Sequence, residues 1–264
     1  MDFLQIDPKY AAPFAQLRLN SCAAVAKFFA EPEPPLVTTV FVTPKTLQLP
    51  GDSVLTVFYK QYEYETPSWR FAGRPSKAQC EFRNYGAFRD LGIASPDRVA
   101  WGEQRDWLGR LCRAFVVTAA VPRAWTLPQF VAETCPNRAS TEARHLRDTL
   151  LRELAAMTRR IHEANFFHHD LVWRNVLVTW EPPAPPKLWW IDCPRGGFAR
   201  FGARHRRIKD LASLDKVASR LVTRRERLAF MKRYLGKSRL DSETKQFVRE
   251  TLAYRKRRWP DDWK

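Results

Sequence analysis

Between Asn165 and Gly196 the chain carries two carboxylates and a carboxamide at spacings that have a chemical use: Asp170, Asn175 and Asp192. His168-His169-Asp170-Leu171 sets an Asp five positions before Asn175, in a loop that runs into the apolar stretch Val176-Leu177-Val178. A second apolar run, Leu188-Trp189-Trp190-Ile191, ends at Asp192. The segment between them, Glu181 to Lys187, holds four prolines, which lack the amide hydrogen that a helix interior or a central strand requires. It reads as the loop of a hairpin whose strands bring Asn175 and Asp192 to one end. One Asp can accept the proton of an attacking hydroxyl, while the Asn and the second Asp offer hard oxygen ligands to nucleotide-bound magnesium. Such a set suits phosphoryl transfer.

The order H-x-D-L-x-x-x-N, then strand, hairpin and Asp, resembles the catalytic and metal-binding loops of the eukaryotic-type protein-kinase fold. Phe167-His168-His169-Asp170-Leu171, Trp189-Trp190-Ile191-Asp192 with Arg195 close behind, and Ile208-Lys209-Asp210-Leu211-Ala212 are more similar to the bacterial lipopolysaccharide core kinases. That family includes the Kdo and heptose kinases and their InaA-like relatives. The resemblance covers roughly Leu36 to Leu235. It implies an α+β, protein-kinase-like bilobal fold. Residues 1–120 would form a small N-terminal antiparallel-sheet lobe with a short helical preface, and residues 121–264 a larger, mainly helical C-terminal lobe. It also implies ATP and Mg2+ as cofactors and a Kdo or heptose hydroxyl of the lipopolysaccharide inner core as acceptor. Asp170 would be the catalytic base, and Asn175 and Asp192 the metal ligands. The Asp of the D-L segment, Asp210, would support the catalytic loop from below. A protein or small-molecule acceptor, or a pseudokinase that binds a partner without transfer, are the alternatives within the same fold.

Other elements must then supply the phosphate-binding side chains. Val54, Thr56, Phe58 and Lys60 alternate along one strand and share a face, and an ammonium on an otherwise apolar face is costly without a partner. In the kinase fold a Lys on the third strand binds nucleotide phosphates and pairs with a Glu of the next helix. The helical segment Ser76 to Leu91, with Phe82 and Tyr85 at helical spacing, supplies Glu81; Glu63 and Glu65 are weaker candidates because they remain in the strand or its exit. Glu142 to Ala164 is the clearest helix, with Leu146, Leu150, Leu154, Met157 and Ile161 in one stripe leading to the loop at His168.

Some family features are missing. Only Gly51 stands where a G-x-G-x-x-G would precede Lys60, so the phosphate-covering loop is expected within Thr43 to Asp52. Cys193-Pro194-Arg195-Gly196-Gly197 replaces the Phe-Gly that follows the metal Asp, no A-P-E follows, and His169 stands where phosphorylation-controlled kinases carry Arg. These departures argue against a signalling kinase.

The chain has 264 residues, ten Trp, 17 Phe and 45% hydrophobic residues, enough for a sizeable core. The five cysteines are odd in number and scattered, without a C-x-x-C pair, and read as reduced, mostly buried thiols. No stretch approaches the ~18 apolar residues of a membrane span, and the N-terminus lacks signal-peptide features. The expected location is cytoplasmic, peripheral on the inner face of the cytoplasmic membrane, as a monomer. The net charge is +17, and between Arg195 and Arg258 stand 21 Lys and Arg against six Asp and Glu. This basic C-terminal face suits an anionic membrane surface. Nucleic acid is disfavoured, because no binding motif accompanies the charge.

Overall fold

The computed structural model describes residues 1–29, 40–49, 54–137 and 140–260, the side chains of Glu65 and Thr66 aside. The chain divides into two compact units, Met1–Ala87 with Pro96–Val121, and Phe88–Ser95 with Pro122–Lys264.

The first unit is built on an antiparallel five-stranded sheet. In chain order it comprises β1 (Asp2–Ile6), α1 (Ala11–Gln16), α2 (Cys22–Phe29), β2 (Val40–Gln48), β3 (Val54–Ser68), most of α3 (Lys77–Asp90), β4 (Arg98–Arg105) and β5 (Leu111–Ala119). The strand order is β1-β4-β5-β3-β2, with Lys60 of β3 opposite Val42 and Val116. Each face carries its own core, as the two-residue period of a strand dictates. Val57, Tyr59, Phe115 and Val117 pack against Phe14, Val25 and Phe29 of the two short helices. Tyr62, Val116 and Trp101 pack against Ala78 and Phe82 of α3.

The helical preface consists of two short helices preceded by a strand. One sequence expectation is corrected. The face shared by Val54, Thr56, Phe58 and Lys60 is core only in part: Val54 is 57% and Phe58 40% exposed, because α3 covers that face only from Lys60 and Tyr62 onward. The expected phosphate-covering loop falls partly in β2, and its remainder, residues 50–53, lies outside the described residues.

The second unit contains β6 (Trp125–Thr126), α4 (Leu127–Thr134), α5 (Thr141–Glu163), β7 (Phe166–Phe167), β8 (Val176–Thr179), β9 (Lys187–Trp190), β10 (Gly197–Phe198), α6 (Ala203–Leu221), α7 (Arg224–Leu235) and α8 (Ser242–Arg258). Ser140 caps α5 by accepting the Ala143 amide at 3.1 Å. Leu150, Leu154, Met157 and Ile161 of the predicted stripe are buried, while Leu146 is half-buried. Helices α6 to α8 pack on α5 through Ala155, Ile208, Leu211, Tyr234 and Phe247.

Part of the C-terminal basic excess is spent inside this bundle. Asp215 accepts from Arg227 at 2.6 Å and from the buried Arg255 at 2.8 Å, whereas Glu226 is taken by Arg147 of α5, 3% exposed, at 2.8 Å. Arg224, Arg225, Arg249, Lys256, Arg257 and Arg258 remain on the exposed side. All five cysteines are free; Cys22, Cys135 and Cys193 are buried, and Cys80 and Cys112 half-buried. Among the described residues no helix is long and apolar enough to cross a membrane.

Candidate active site

In the sheet unit Lys60 meets Glu81. The Lys60 ammonium donates to Glu81 Oε2 at 3.0 Å, with the carboxylate almost wholly buried and the ammonium side chain 15% exposed. Tyr62 and Tyr85 also donate their hydroxyls to Glu81, at 2.7 and 3.1 Å. Both tyrosines were available from spacing, since Tyr62 stands two positions beyond Lys60 on the strand and Tyr85 one turn beyond Glu81 on the helix. Glu63 instead pairs with Arg113 at 3.5 Å on a more exposed surface. The Glu65 side chain lies outside the described residues. Three donors on one carboxylate hold the Lys60 head in place and compensate the burial of both charges. Glu81→Ala removes the carboxylate on which the ammonium and the two hydroxyls converge. It should lower stability by about 3 kcal/mol, read from the denaturant midpoint.

The helical unit brings together Asp170, Asn175 and Asp192. The β8–β9 register sets Val176 opposite Trp190, and the Ile191 amide donates to the Asn175 carbonyl at 3.0 Å, so Asn175 and Asp192 flank one end of the hairpin. Asn175, 3% exposed, donates its side-chain amide to the Asp170 carbonyl at 2.9 Å. His169 and Asp192 adopt left-handed backbone angles, φ 63° and 58°, conformations that L residues seldom take outside turns and functional loops. Beyond Asp192 the chain doubles back closely. A Cβ on Gly196 would sit 2.8 Å from the Phe167 carbonyl, so only glycine fits there.

Asp210 underlies this loop. Fully buried, it accepts the backbone amides of His168 and His169 at 2.8 Å each, and His162 Nε2 approaches it at 3.3 Å. Tyr234 lies 2.8 Å from His162 Nδ1. The ionised Asp210 can only accept, so Nε2 carries the proton toward it, and in the neutral imidazole Nδ1 accepts from the Tyr234 hydroxyl, which burial keeps protonated. Burial by itself would raise the Asp210 carboxyl; the bond from His162 and the surrounding donors outweigh it and hold the group below the usual carboxylate range. Burial pushes His168 below the histidine range, against the attraction of Asp210 and Asp170, and does the same to His169.

Sequence reasoning missed Arg206. Its guanidinium reaches His169 Nε2 at 2.9 Å and the Phe201 carbonyl at 3.3 Å, strutting the residue before Asp170 against the segment that precedes α6. A surplus of nearby arginines masks this one, because its partner lies 37 positions away.

The donor set fits magnesium. Asn175 commits its amide nitrogen to the Asp170 carbonyl, so its oxygen is the atom that would bind a metal, and Asp192 would add a carboxylate. Nucleotide-bound Mg2+ needs only one or two protein carboxylates, phosphate oxygens and water completing its shell. It is therefore no conflict that no cluster of three or more His, Cys, Asp or Glu suited to a metal occurs among the described residues.

A sequence profile described as the lipopolysaccharide kinase (Kdo/WaaP) family matches residues 61–234, about two thirds of the chain. The chain belongs to this family. The matched region takes in Glu81, Asp170, Asn175, Asp192 and Asp210 and begins one residue after Lys60. Membership implies a phosphotransferase that uses ATP. No curated protein matches the chain. Among solved structures, one described as WaaP in complex with acyl carrier protein is similar over 99% of this chain and 100% of that one, with a TM-score of 0.70 and 20% sequence identity. At that identity the likeness establishes the fold, which is the α+β, protein-kinase-like one anticipated from the sequence.

Proposed function

We propose that this chain transfers phosphate from ATP, with Mg2+, to a Kdo or heptose hydroxyl of the lipopolysaccharide inner core. The observation that carries this reading is the end of the β8–β9 hairpin. There the Ile191 amide, one residue before Asp192, bonds the Asn175 carbonyl and the Asn175 side chain bonds the Asp170 carbonyl, in a chain of the lipopolysaccharide kinase family. Asp170 orients the sugar hydroxyl and accepts its proton. Lys60, fixed by Glu81, binds nucleotide phosphate, and Asn175 and Asp192 hold the metal. When bound, Mg2+ offsets the negative charge that develops on the phosphate oxygens. The protein's own contribution is positioning and charge neutralisation, without a covalent intermediate. The exposed cations of α7 and α8 favour an acceptor at an anionic membrane surface and a peripheral location there.

The test is transfer of labelled phosphate from ATP and Mg2+ to dephosphorylated lipopolysaccharide core, to a generic protein and to no acceptor. Label on the glycolipid alone supports the reading. Label on the protein acceptor moves the activity to the protein-kinase class, and ATP binding without transfer to any acceptor favours the pseudokinase.

The complex of WaaP with acyl carrier protein suggests a second partner. The helical unit holds a cavity of about 390 Å³ lined by Leu151, Leu154, Trp173, Leu214 and Met231, with Arg224 at its wall. Its apolar lining suits an acyl chain, and Trp173 belongs to the same loop as Asp170. Acylated carrier protein should be retained by the immobilised chain at least about tenfold more strongly than the unacylated form, since an acyl chain buries many methylene groups. Equal retention of both forms would remove the cavity from the account.

A further inference from the structure

The tip of the β4–β5 hairpin is built to project apolar side chains. Asp106 satisfies the turn by itself. Its carboxylate accepts the amides of Leu108 and Arg110 at 3.0 and 2.9 Å and the Arg110 guanidinium at 2.6 Å, and its carbonyl accepts the Gly109 amide at 3.0 Å. With the backbone closed on itself, Trp107 is left 80% and Leu108 40% exposed.

Two further exposed apolar side chains gather there. Arg105 exchanges backbone hydrogen bonds with Met1, whose side chain is 78% exposed. The Arg105 guanidinium donates to the carbonyls of Gly109, Phe71 and Arg74 at 3.1, 2.9 and 3.2 Å, binding the segment Trp69–Arg74 to the tip. Trp69 in that segment is 59% exposed, and the Arg110 guanidinium lies 5.8 Å from its ring. A scattered exposed Leu needs no explanation, but two Trp, a Leu and a Met gathered at one tip do.

The charge around the tip is positive on balance. Asp106 and Glu103 are neutralised by Arg110 and Arg105, which leaves the exposed Asp2, an acceptor from Gln104 at 3.4 Å, as the acid there. Arg70 and Arg74 are exposed and have no acidic partner among the described residues.

We infer that this tip anchors the sheet unit in the interfacial layer of an anionic bilayer, with Trp107, Leu108 and Trp69 among the headgroups and Arg70 and Arg74 on lipid phosphates. A projecting turn has no groove to receive a partner, and a rigid protein would need a matching pocket; a bilayer yields to a wedge. Trp suits that layer because its ring is apolar while its N–H remains in the wet headgroup zone. The inference does not depend on the phosphotransfer reading, and it adds an apolar anchor on the sheet unit to the electrostatic attraction of the cations of α7 and α8.

The test is flotation of the full chain with phosphatidylcholine vesicles, with and without phosphatidylglycerol. Trp107→Ala with Leu108→Ser should lower the vesicle-bound fraction at least about tenfold on both compositions, from the apolar area lost. Arg70→Gln with Arg74→Gln should lower it about tenfold or more on phosphatidylglycerol vesicles alone, an effect that fades in high salt. All four positions are exposed, and thermal unfolding followed by circular dichroism confirms that the variants fold. Three results would overturn the inference. One is an absence of flotation by the unmodified chain. Another is a loss confined to Arg257→Gln with Arg258→Gln. The third is a dimer in sedimentation velocity that the Trp107 variant abolishes while flotation is unchanged, which would assign the tip to a second copy of the chain.

Discussion

Asp170→Ala is expected to lower phosphate transfer about 10³-fold, the usual worth of a positioned general base, while nucleotide affinity changes less than about twofold. The Asp170 side chain is not needed to hold the loop, because Asn175 grips its carbonyl and the Val172 amide donates to that same carbonyl at 3.0 Å. Asp192→Ala should behave differently and weaken Mg2+-dependent nucleotide binding as well as transfer. Calorimetric titration with a non-hydrolysable ATP analogue, in the presence and absence of Mg2+, separates the two. Full transfer by both variants would refute the site assignment, whatever the acceptor.

The second large effect belongs to a residue that touches no substrate. Asp210→Ala removes the acceptor of two buried amides and of His162, and each unsatisfied donor costs about 1–3 kcal/mol. A loss of about 3–5 kcal/mol in the helical unit follows, with transfer abolished because the loop carrying Asp170 loses its support. Asp210→Asn keeps one acceptor oxygen and should lie between. Urea unfolding against pH checks the electrostatics. His168 and His169 are held below the histidine range, so the unfolded chain binds protons that the folded chain refuses. Stability should therefore fall as pH drops below about 6.5. Asp210 is also depressed; its contribution is complete above about pH 4 and is lost as pH falls through its lower folded value. The Asn variant should lose the second phase and keep the first. If both phases survive in the variant, Asp210 is not the group responsible.

The part of the fold set by local pattern was legible in the chain. The α5 stripe, the proline-loop hairpin and the placing of Lys60 on a strand with Glu81 on the next helix all follow from periodicity or spacing. What escaped depends on partners distant in sequence. β1 is five residues long, and its place at the sheet edge comes from pairing with β4, roughly a hundred positions on. The exposed state of Val54 and Phe58 depends on where α3 ends its coverage, which alternation along β3 does not encode. Arg206 and Arg255 look like their neighbours in runs of basic residues, and Arg147 like any charge between the apolar positions of α5, yet each has a specific partner inside the fold. A phosphate-covering loop is a different case: backbone amides can contact phosphate without special side chains, so composition need not announce one.

Arg206 has only donors to offer, so its contact with His169 lasts only while that imidazole nitrogen keeps its lone pair. A proton placed there would set two cations face to face and remove the acceptor. The strut is thus an acid-opened latch. Burial pushes the imidazole below its ordinary range and keeps the latch closed at neutral pH, so the segment ending in the 85% exposed Phe201 stays fastened to the residue just before Asp170.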